Sequence, residues 1–275
     1  MLVTESATPV RQAAVPAVRR PSVIVVAHRG ASASAPENTL AALRTAARLG
    51  AHMAELDVRR TADGELVVLH DPTLRRTTNV DAVYPARRSR RVEDFTLAEL
   101  RRLDAGSWFG PAFEGEPIPT LGEAMTTMKS CGLGALIELK VRRRDPELAQ
   151  RIVDQVCADA HWRAAGAEGR LIVQSFDWVT LRAIGRLLPG VRTAVLGKTH
   201  TRYALRRVAR YAAQINPHHL RVTASYVRHV HEHGLAMFGW TVNTDQAIRR
   251  LIRDGVDGII TDYPDRVAAH LAIAA

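Results

Sequence analysis

Short apolar runs alternate with amphipathic stretches along almost the whole chain. Runs rich in Val, Ile and Leu near residues 23–27, 53–58, 66–70, 134–140, 171–174, 192–196, 213–216, 236–242 and 258–261 read as strands. The Ala-, Arg- and Leu-rich segments between most of them carry a helical period, the pattern of a parallel sheet with crossover helices. Nine strands are one too many for an eight-stranded barrel. Between Val58 and Leu66 lie only seven residues, whereas a parallel crossover takes roughly a dozen or more. The third strand is therefore expected to return antiparallel. Asp63-Gly64 fits a two-residue hairpin turn with both central residues at positive φ, a register that sets Asp57 opposite His70.

With that hairpin set aside, eight parallel strands remain, and the expected architecture is an α/β protein of the (β/α)8 TIM-barrel class. Residues 71–119 hold little strand pattern. They contain a short helical stretch, "FTLAELRRL", and the Gly- and Pro-rich "GSWFGPAFEGEPIP", and read as a small insertion at the catalytic face. "PTLGEAMTTMK" then resumes a helix, with Thr120 and Glu123 spaced as a capping box. Residues 1–21 read as a disordered leader, and 22–275 as one barrel domain.

Composition narrows the partners. No apolar run approaches the roughly 18 residues of a membrane span, so no transmembrane segment is expected. Arg19-Arg20 precedes the run "VIVVA", but that run is better used as the first strand, and a cytoplasmic home is expected. Cys131 and Cys157 lack metal-site spacing and read as buried thiols. A formal charge of +10 admits nucleic acid, an anionic surface or a phosphate-bearing substrate. The 35 arginines against three lysines resemble a coding bias more than a recognition device. The clusters at 87–91 and 142–144 lack interleaved aromatics and read as solvated loops, so no nucleic-acid partner is expected.

Ionisable groups gather where the barrel strands end, and in this fold those ends form the active face. The first strand ends in "AHRG", the second in "ELD", the hairpin in "LHD", and the strand after the insertion in "IELK". The two-residue spacings of Glu55 with Asp57 and of Glu138 with Lys140 point each pair to one face. Glu55, Asp57 and Glu138 form an all-oxygen set suited to one hard divalent cation, Mg²⁺, Ca²⁺ or Mn²⁺. Pairing of Glu55 or Asp57 with a barrel arginine is the structural alternative. His28 and His70 suit a general acid and base. Arg29 and Lys140 bring fixed positive charge to the mouth, suited to a phosphate. His218-His219 follow a strand end and are open to a substrate contact or an exposed loop. His229, His231 and His233 read as a solvated helix end.

The motifs "AHRGASASAPENTLAAL", "AELDVRRTADGELVVLHDPTLRRTTN", "LDAGSWF", "IPTLGEA", "IELK", "QSFD", "WTVN" and "GIITDYP" occur in this order. Together they resemble the glycerophosphodiester phosphodiesterase family, from about Ile24 to Pro264. The resemblance implies a (β/α)8 barrel that hydrolyses small-molecule glycerophosphodiesters to glycerol 3-phosphate and an alcohol with a divalent cation. It further implies His28 and His70 as acid/base, Glu55, Asp57 and Glu138 as metal ligands, and Arg29 and Lys140 on the phosphate. It also implies attack by the substrate's own glycerol hydroxyl and a cyclic phosphate. Trp240 is open to packing on the substrate or to a core role. Gln174 and Asn243 are candidate supporting donors, and Asp262 is expected to cap the helix that follows it. After "TTN" the sequence reads "VDAVYPARRSRRV", bulkier and more basic than the Gly-rich turn of many relatives. One alternative is lysophospholipase D-type cleavage on the same barrel, with "GSWFGPAF" as the candidate apolar loop. Another is a non-catalytic protein that binds anionic surfaces or nucleic acid.

Overall fold

A computed structural model describes residues 23–141, 146–197 and 201–274. The expected leader at 1–21 and the basic run at 142–144 lie outside the described residues. Among the described residues nine strands form: β1 (Ile24–Ala27), β2 (Met53–Arg60), β3 (Leu66–Val68), β4 (Gly134–Leu139), β5 (Leu171–Ser175), β6 (Arg192–Leu196), β7 (Gln214–Asn216), β8 (Ala236–Gly239) and β9 (Gly258–Thr261). Eight run parallel in the order β1-β9-β8-β7-β6-β5-β4-β2, and β1 pairs back to β2 to close a (β/α)8 barrel. The ninth, β3, runs antiparallel to the end of β2.

Period-two alternation on each strand divides the buried surface in two. Val26, Met53, Leu136, Ile172, Ala194, Phe238 and Ile260 make one apolar cluster. Their neighbours, including Val25, Leu56, Ile137, Val173, Val195 and Ile259, belong to the larger cluster that also contains helix residues such as Leu43, Met125 and Ile248. The first set faces the barrel interior and the second faces the helices, as a closed parallel barrel requires. Two residues beyond the interior set, the same parity brings up His28, Glu55, Glu138, Gln174, Leu196, Trp240 and Asp262. Burial of apolar groups thus carries the barrel floor, and polar groups occupy its C-terminal mouth.

The hairpin departs from the expected register. Val58 pairs with Val68, Arg59 with Val67 and Arg60 with Leu66, one residue short of the alignment that opposes Asp57 to His70. The loop has three residues instead of two: the Thr61 amide donates to the Glu65 carbonyl at 2.9 Å, and the Gly64 amide to the Thr61 carbonyl at 3.1 Å. Only Gly64 takes positive φ, +87°. Asp63 stays out of that region, and its carboxylate instead accepts from the Leu97 amide at 3.1 Å and from the Thr61 hydroxyl at 2.5 Å. The Leu69 amide donates to the Asp57 carbonyl, after which the chain leaves the ladder. His70 reaches the mouth from there, its carbonyl held by Arg59 Nη2 at 2.6 Å.

Between β3 and the helix Leu121–Ser130 the chain builds its own apolar cluster, with Leu74, Val80, Val92, Phe95, Leu100 and Ile118 buried. The short helix Leu97–Leu100 and the helix at Leu121 both begin with complete capping boxes, Thr96/Glu99 and Thr120/Glu123. Of the four arginines at 87–91, Arg88 is exposed as expected, but the other three are engaged by their own segment. Arg87 donates to Glu99 and stacks over Phe95 at 3.8 Å, Arg90 is 8% exposed and donates to Asp81, and Arg91 donates to Glu93. Cys131 is half-buried and Cys157 exposed, both free. The buried-thiol expectation therefore fails at Cys157, in the last turn of the helix Pro146–Ala158.

Candidate active site

The barrel mouth holds a cleft of about 180 Å³ lined by His28, Arg29, Glu55, His70, Glu138, Lys140, Gln174, Phe176, Leu196, Trp240, Thr241 and Ile260. The eight residues expected as acid/base pair, metal ligands and substrate contacts meet here: seven line the cleft, and Asp57 lies beneath it among Glu55, Glu138 and Lys140. Glu55, Asp57 and Glu138 are buried, and each offers an oxygen within 4.8 Å of the others. Glu55 Oε2 accepts from the Arg29 amide at 3.0 Å, while its Oε1 is buried without a hydrogen-bond partner. Burial, then the charges of Asp57 and Glu138, push Glu55 well above the ordinary carboxylate range. Glu138 is also pushed up by burial and by Asp57. Burial acts the same way on Asp57, but Lys140 and Arg29 outweigh it and hold that carboxyl low. Lys140 Nζ lies 3.0 Å from Asp57 Oδ1 and 2.5 Å from Glu138 Oε1. An orphaned, buried carboxylate oxygen in an all-oxygen cluster fits a hard metal ion. The arginine pairing weighed as an alternative is also present: Arg29 Nε stands 3.3 Å from Asp57 Oδ2.

Backbone strain helps to build this floor. Among the described residues, Arg29 (φ +57°) and Asn38 (φ +59°) are the non-glycine residues with positive φ. The turn at Arg29 directs its amide to Glu55. At Asn38 the side chain donates to Asp57 Oδ2 at 2.8 Å. Gly30 cannot be replaced freely, since a Cβ there would stand 2.6 Å from the Ala42 Cβ. This accounts for the glycine that follows His28-Arg29.

Each cleft histidine is tied at Nδ1 to a carboxylate. His28 Nδ1 lies 2.6 Å from Asp262 Oδ1, and His70 Nδ1 lies 2.7 Å from Asp71 Oδ1. A carboxylate partner makes Nδ1 the protonated nitrogen in the neutral ring, leaving Nε2 as the acceptor. Burial, helped by Lys140 and Arg29, pushes His70 below the ordinary histidine value despite the opposing pull of Asp57 and Asp71. Asp71 is itself held at about 2, first by its hydrogen bonds from Arg76.

Asp262 corrects the helix-cap expectation: its carboxylate is used by His28, by the Ser32 hydroxyl at 2.9 Å and by Asn243 Nδ2 at 2.5 Å. Parity was the available signal, because Asp262 follows the interior Ile260 by two, as His28 follows Val26. Asn243 thus supports the site as expected. Gln174 lines the cleft and accepts from Asn216 Nδ2 at 2.8 Å. Glu37, Asn38 and Arg76 were not singled out. The first two lie in the "PENT" loop, whose contacts depend on barrel closure. Trp240 donates from Nε1 to the Asn216 carbonyl and meets Phe176 edge-on at 6.0 Å. His218 packs on the Trp240 ring at 5.2 Å, outside the cleft lining. His231 is paired with Asp257, and His233 with the His229 carbonyl. "GSWFGPAF" packs on itself, Trp108 against Phe109 and Phe109 against Phe113, and does not line the cleft.

A model of the glycerophosphoryl diester phosphodiesterase family matches residues 28–266. The chain belongs to that family. It is 40% identical over 245 residues to the putative glycerophosphodiester phosphodiesterase YhdW of Bacillus subtilis, covering 88% of this chain and 95% of that one. It is 35% identical over 246 residues to the glycerophosphodiester phosphodiesterase of Caldanaerobacter subterraneus subsp. tengcongensis, with the same shares covered. Among solved structures, a phosphodiesterase of Oleispira antarctica in complex with the product sn-glycerol-3-phosphate superposes with a TM-score of 0.81 at 30% identity, covering 92% of this chain and 97% of that one. The family match spans every cleft residue. It makes this chain an enzyme of the phosphodiesterase class, with an acidic cluster able to hold a metal ion.

Proposed function

We propose that this phosphodiesterase hydrolyses small-molecule glycerophosphodiesters to glycerol 3-phosphate and an alcohol, with His28 and His70 as the acid/base pair. The observation that carries the reading is the matched pair of Nδ1–carboxylate contacts, His28 to Asp262 and His70 to Asp71, in one cleft with Arg29 and Lys140. Nε2 of one ring takes the proton of the attacking hydroxyl as its oxygen bonds to phosphorus. Nε2 of the other ring, which enters the step as imidazolium, gives its proton to the departing alcohol oxygen as the second P–O bond breaks. The attacking hydroxyl is the substrate's own glycerol hydroxyl; a cyclic phosphate results, and water then opens it with the two rings in exchanged roles. Arg29 and Lys140 orient the phosphate. Trp240, its indole N–H already spent on Asn216, offers an aromatic face to the substrate's carbon skeleton.

Glu55, Asp57 and Glu138 would hold one divalent cation, Mg²⁺ or Ca²⁺, with Mn²⁺ the third choice. When bound it polarises the phosphoryl oxygens and lowers the pKa of a nearby hydroxyl. We assign the enzyme to the cytoplasm. The run at 23–27 contributes β1, and among the described residues no helix is long and apolar enough to cross a membrane. Binding of nucleic acid is not part of the reading, because Arg87, Arg90 and Arg91 are engaged within their own segment.

A second reading, cleavage of lysophospholipids on the same barrel, is favoured by one observation. Phe176, 57% exposed, extends the Trp240 wall out of the cleft and would suit an alkyl chain. Purified enzyme with divalent cation should release glycerol 3-phosphate from glycerophosphodiesters, with a transient cyclic phosphate seen by phosphorus NMR. Absence of glycerol 3-phosphate release across varied alcohols would overturn the first reading. Headgroup release from lysophospholipids that falls on Phe176→Ala would support the second.

A further inference from the structure

We infer that Arg76 is a positioning residue that holds the acid/base side of the active site and its phosphate-binding side in one alignment. The inference rests on the reading of His70 and Arg29 given above. Arg76 follows β3 and does not line the cleft. Its guanidinium is spent on two carboxylates at once. Nε donates to Asp71 Oδ2 at 2.7 Å and Nη2 to Asp71 Oδ1 at 3.1 Å. Nη1 donates to Glu37 Oε2 and Nη2 to Glu37 Oε1, both at 2.7 Å. Beyond Asp71 stands His70, bound through Nδ1 at 2.7 Å. Beyond Glu37 stands Arg29, whose Nη1 donates to Glu37 Oε1 at 2.9 Å. The relay His70–Asp71–Arg76–Glu37–Arg29 thus joins the loop after β1 to the loop after β3.

Those two loops need such a tie. Backbone bonding to the neighbouring strands reaches only His28, through the Thr261 carbonyl, on one side and Leu69, through the Asp57 carbonyl, on the other, so it ends one residue before Arg29 and one before His70. Relative placement of His70 and Arg29 then falls to side chains. A planar guanidinium with five fixed donors can grip two carboxylates in parallel pairs, and an ammonium cannot. Arg76 is also 45% exposed at its side chain while Glu37 is 12% exposed. The less accessible partner is the carboxylate facing the cleft arginine, and the clamp closes over it from outside. Surface ion pairs taken singly contribute little to stability. A bidentate pair at both ends is better explained by geometry than by stability.

The test uses the full chain with divalent cation and a glycerophosphodiester, comparing Arg76→Ala, Arg76→Lys, Asp71→Asn, the double variant Arg76→Ala/Asp71→Asn and, as a control, His70→Ala. Arg76→Ala should lower kcat/KM by about 10- to 100-fold, the range for a misplaced reacting group, through both a lower kcat and a higher KM. Its melting temperature should stay close to that of the wild type. Arg76→Lys should recover only part of the loss. If Arg76 acts on kcat through Asp71, the double variant should have no lower kcat than Asp71→Asn alone. The inference is overturned if Arg76→Ala stays within about twofold of wild type in both constants, if its kcat loss adds in full to that of Asp71→Asn, or if lysine restores full activity. Wild-type turnover in His70→Ala would overturn the assignment of His70 itself, and the inference with it.

Discussion

His28 Nδ1 lies 2.6 Å from Asp262 Oδ1, although the two residues stand 234 positions apart in the chain. The contact closes the barrel at its first and last strands, since Ala27 and Thr261 are register partners there. It also sets the ring's tautomer. Asp262→Asn keeps the shape of the side chain but removes the carboxylate that selects Nδ1–H. We expect kcat to fall by roughly 10²-fold or more, with KM little changed and the fold intact. Turnover of Asp262→Asn equal to wild type in a steady-state assay would separate His28 from proton transfer.

The acidic cluster predicts opposite effects on affinity and on stability. Glu55→Gln removes a ligand charge, so calorimetric titration should show weaker divalent-ion binding, and turnover should fall. The same substitution replaces a buried carboxyl, raised by burial and by Asp57 and Glu138, with a neutral isostere. The chelated variant should therefore melt no lower than chelated wild type, and added cation should raise the melting temperature of wild type more. Full activity after exhaustive chelation would remove the metal from the reaction.

Asp104 gives a pH prediction away from the cleft. Burial acts to raise its pKa, but the Ser107 hydroxyl and the amides of Gly115, Ser107 and Gly106 outweigh it and hold the carboxyl at about 2. The folded value lies below the ordinary 3.8. The contribution to stability is therefore complete above that value and is lost as pH falls through it toward 2. Amide exchange at Gly106 and Gly115, corrected for intrinsic rates, should accelerate across that interval. In Asp104→Asn it should be fast already at neutral pH and show no such step.

Arg87, Arg90 and Arg91 are expected to support their segment, not to attract substrate. Replacing all three should lower the melting temperature by a few degrees, because Arg90 is 8% exposed and paired with Asp81, and Arg87 ties Glu99 to the Phe95 ring. Replacing Arg88 alone should change little. In both variants kcat at saturating substrate should remain near wild type. A salt-independent loss of kcat in the triple variant without loss of stability would mean that the segment reaches the reacting phosphate.

Much of this protein is written locally. The positions of the nine strands, the antiparallel return after Val58 and the capping box at Thr120 follow from period-two alternation, short connections and side chains within a few residues of one another. The chemistry at the strand ends was legible for the same reason, because Glu55 and Asp57, or Glu138 and Lys140, share a face by spacing alone. Tertiary structure decided the remainder. Asp262 meets His28 only when the barrel closes, and Arg76 reaches Glu37 only because β3 folds back beside the loop after β1. The hairpin takes a three-residue turn in place of the two-residue turn that Asp-Gly by itself prefers, held by Thr61 contacts within the turn and by one from outside it, the Leu97 amide on Asp63. Alternation is set by the backbone geometry of neighbouring residues and can be read along the chain. The partner of a buried or bridging charge is set by which distant strands and loops share the barrel mouth, and only the closed fold brings them there.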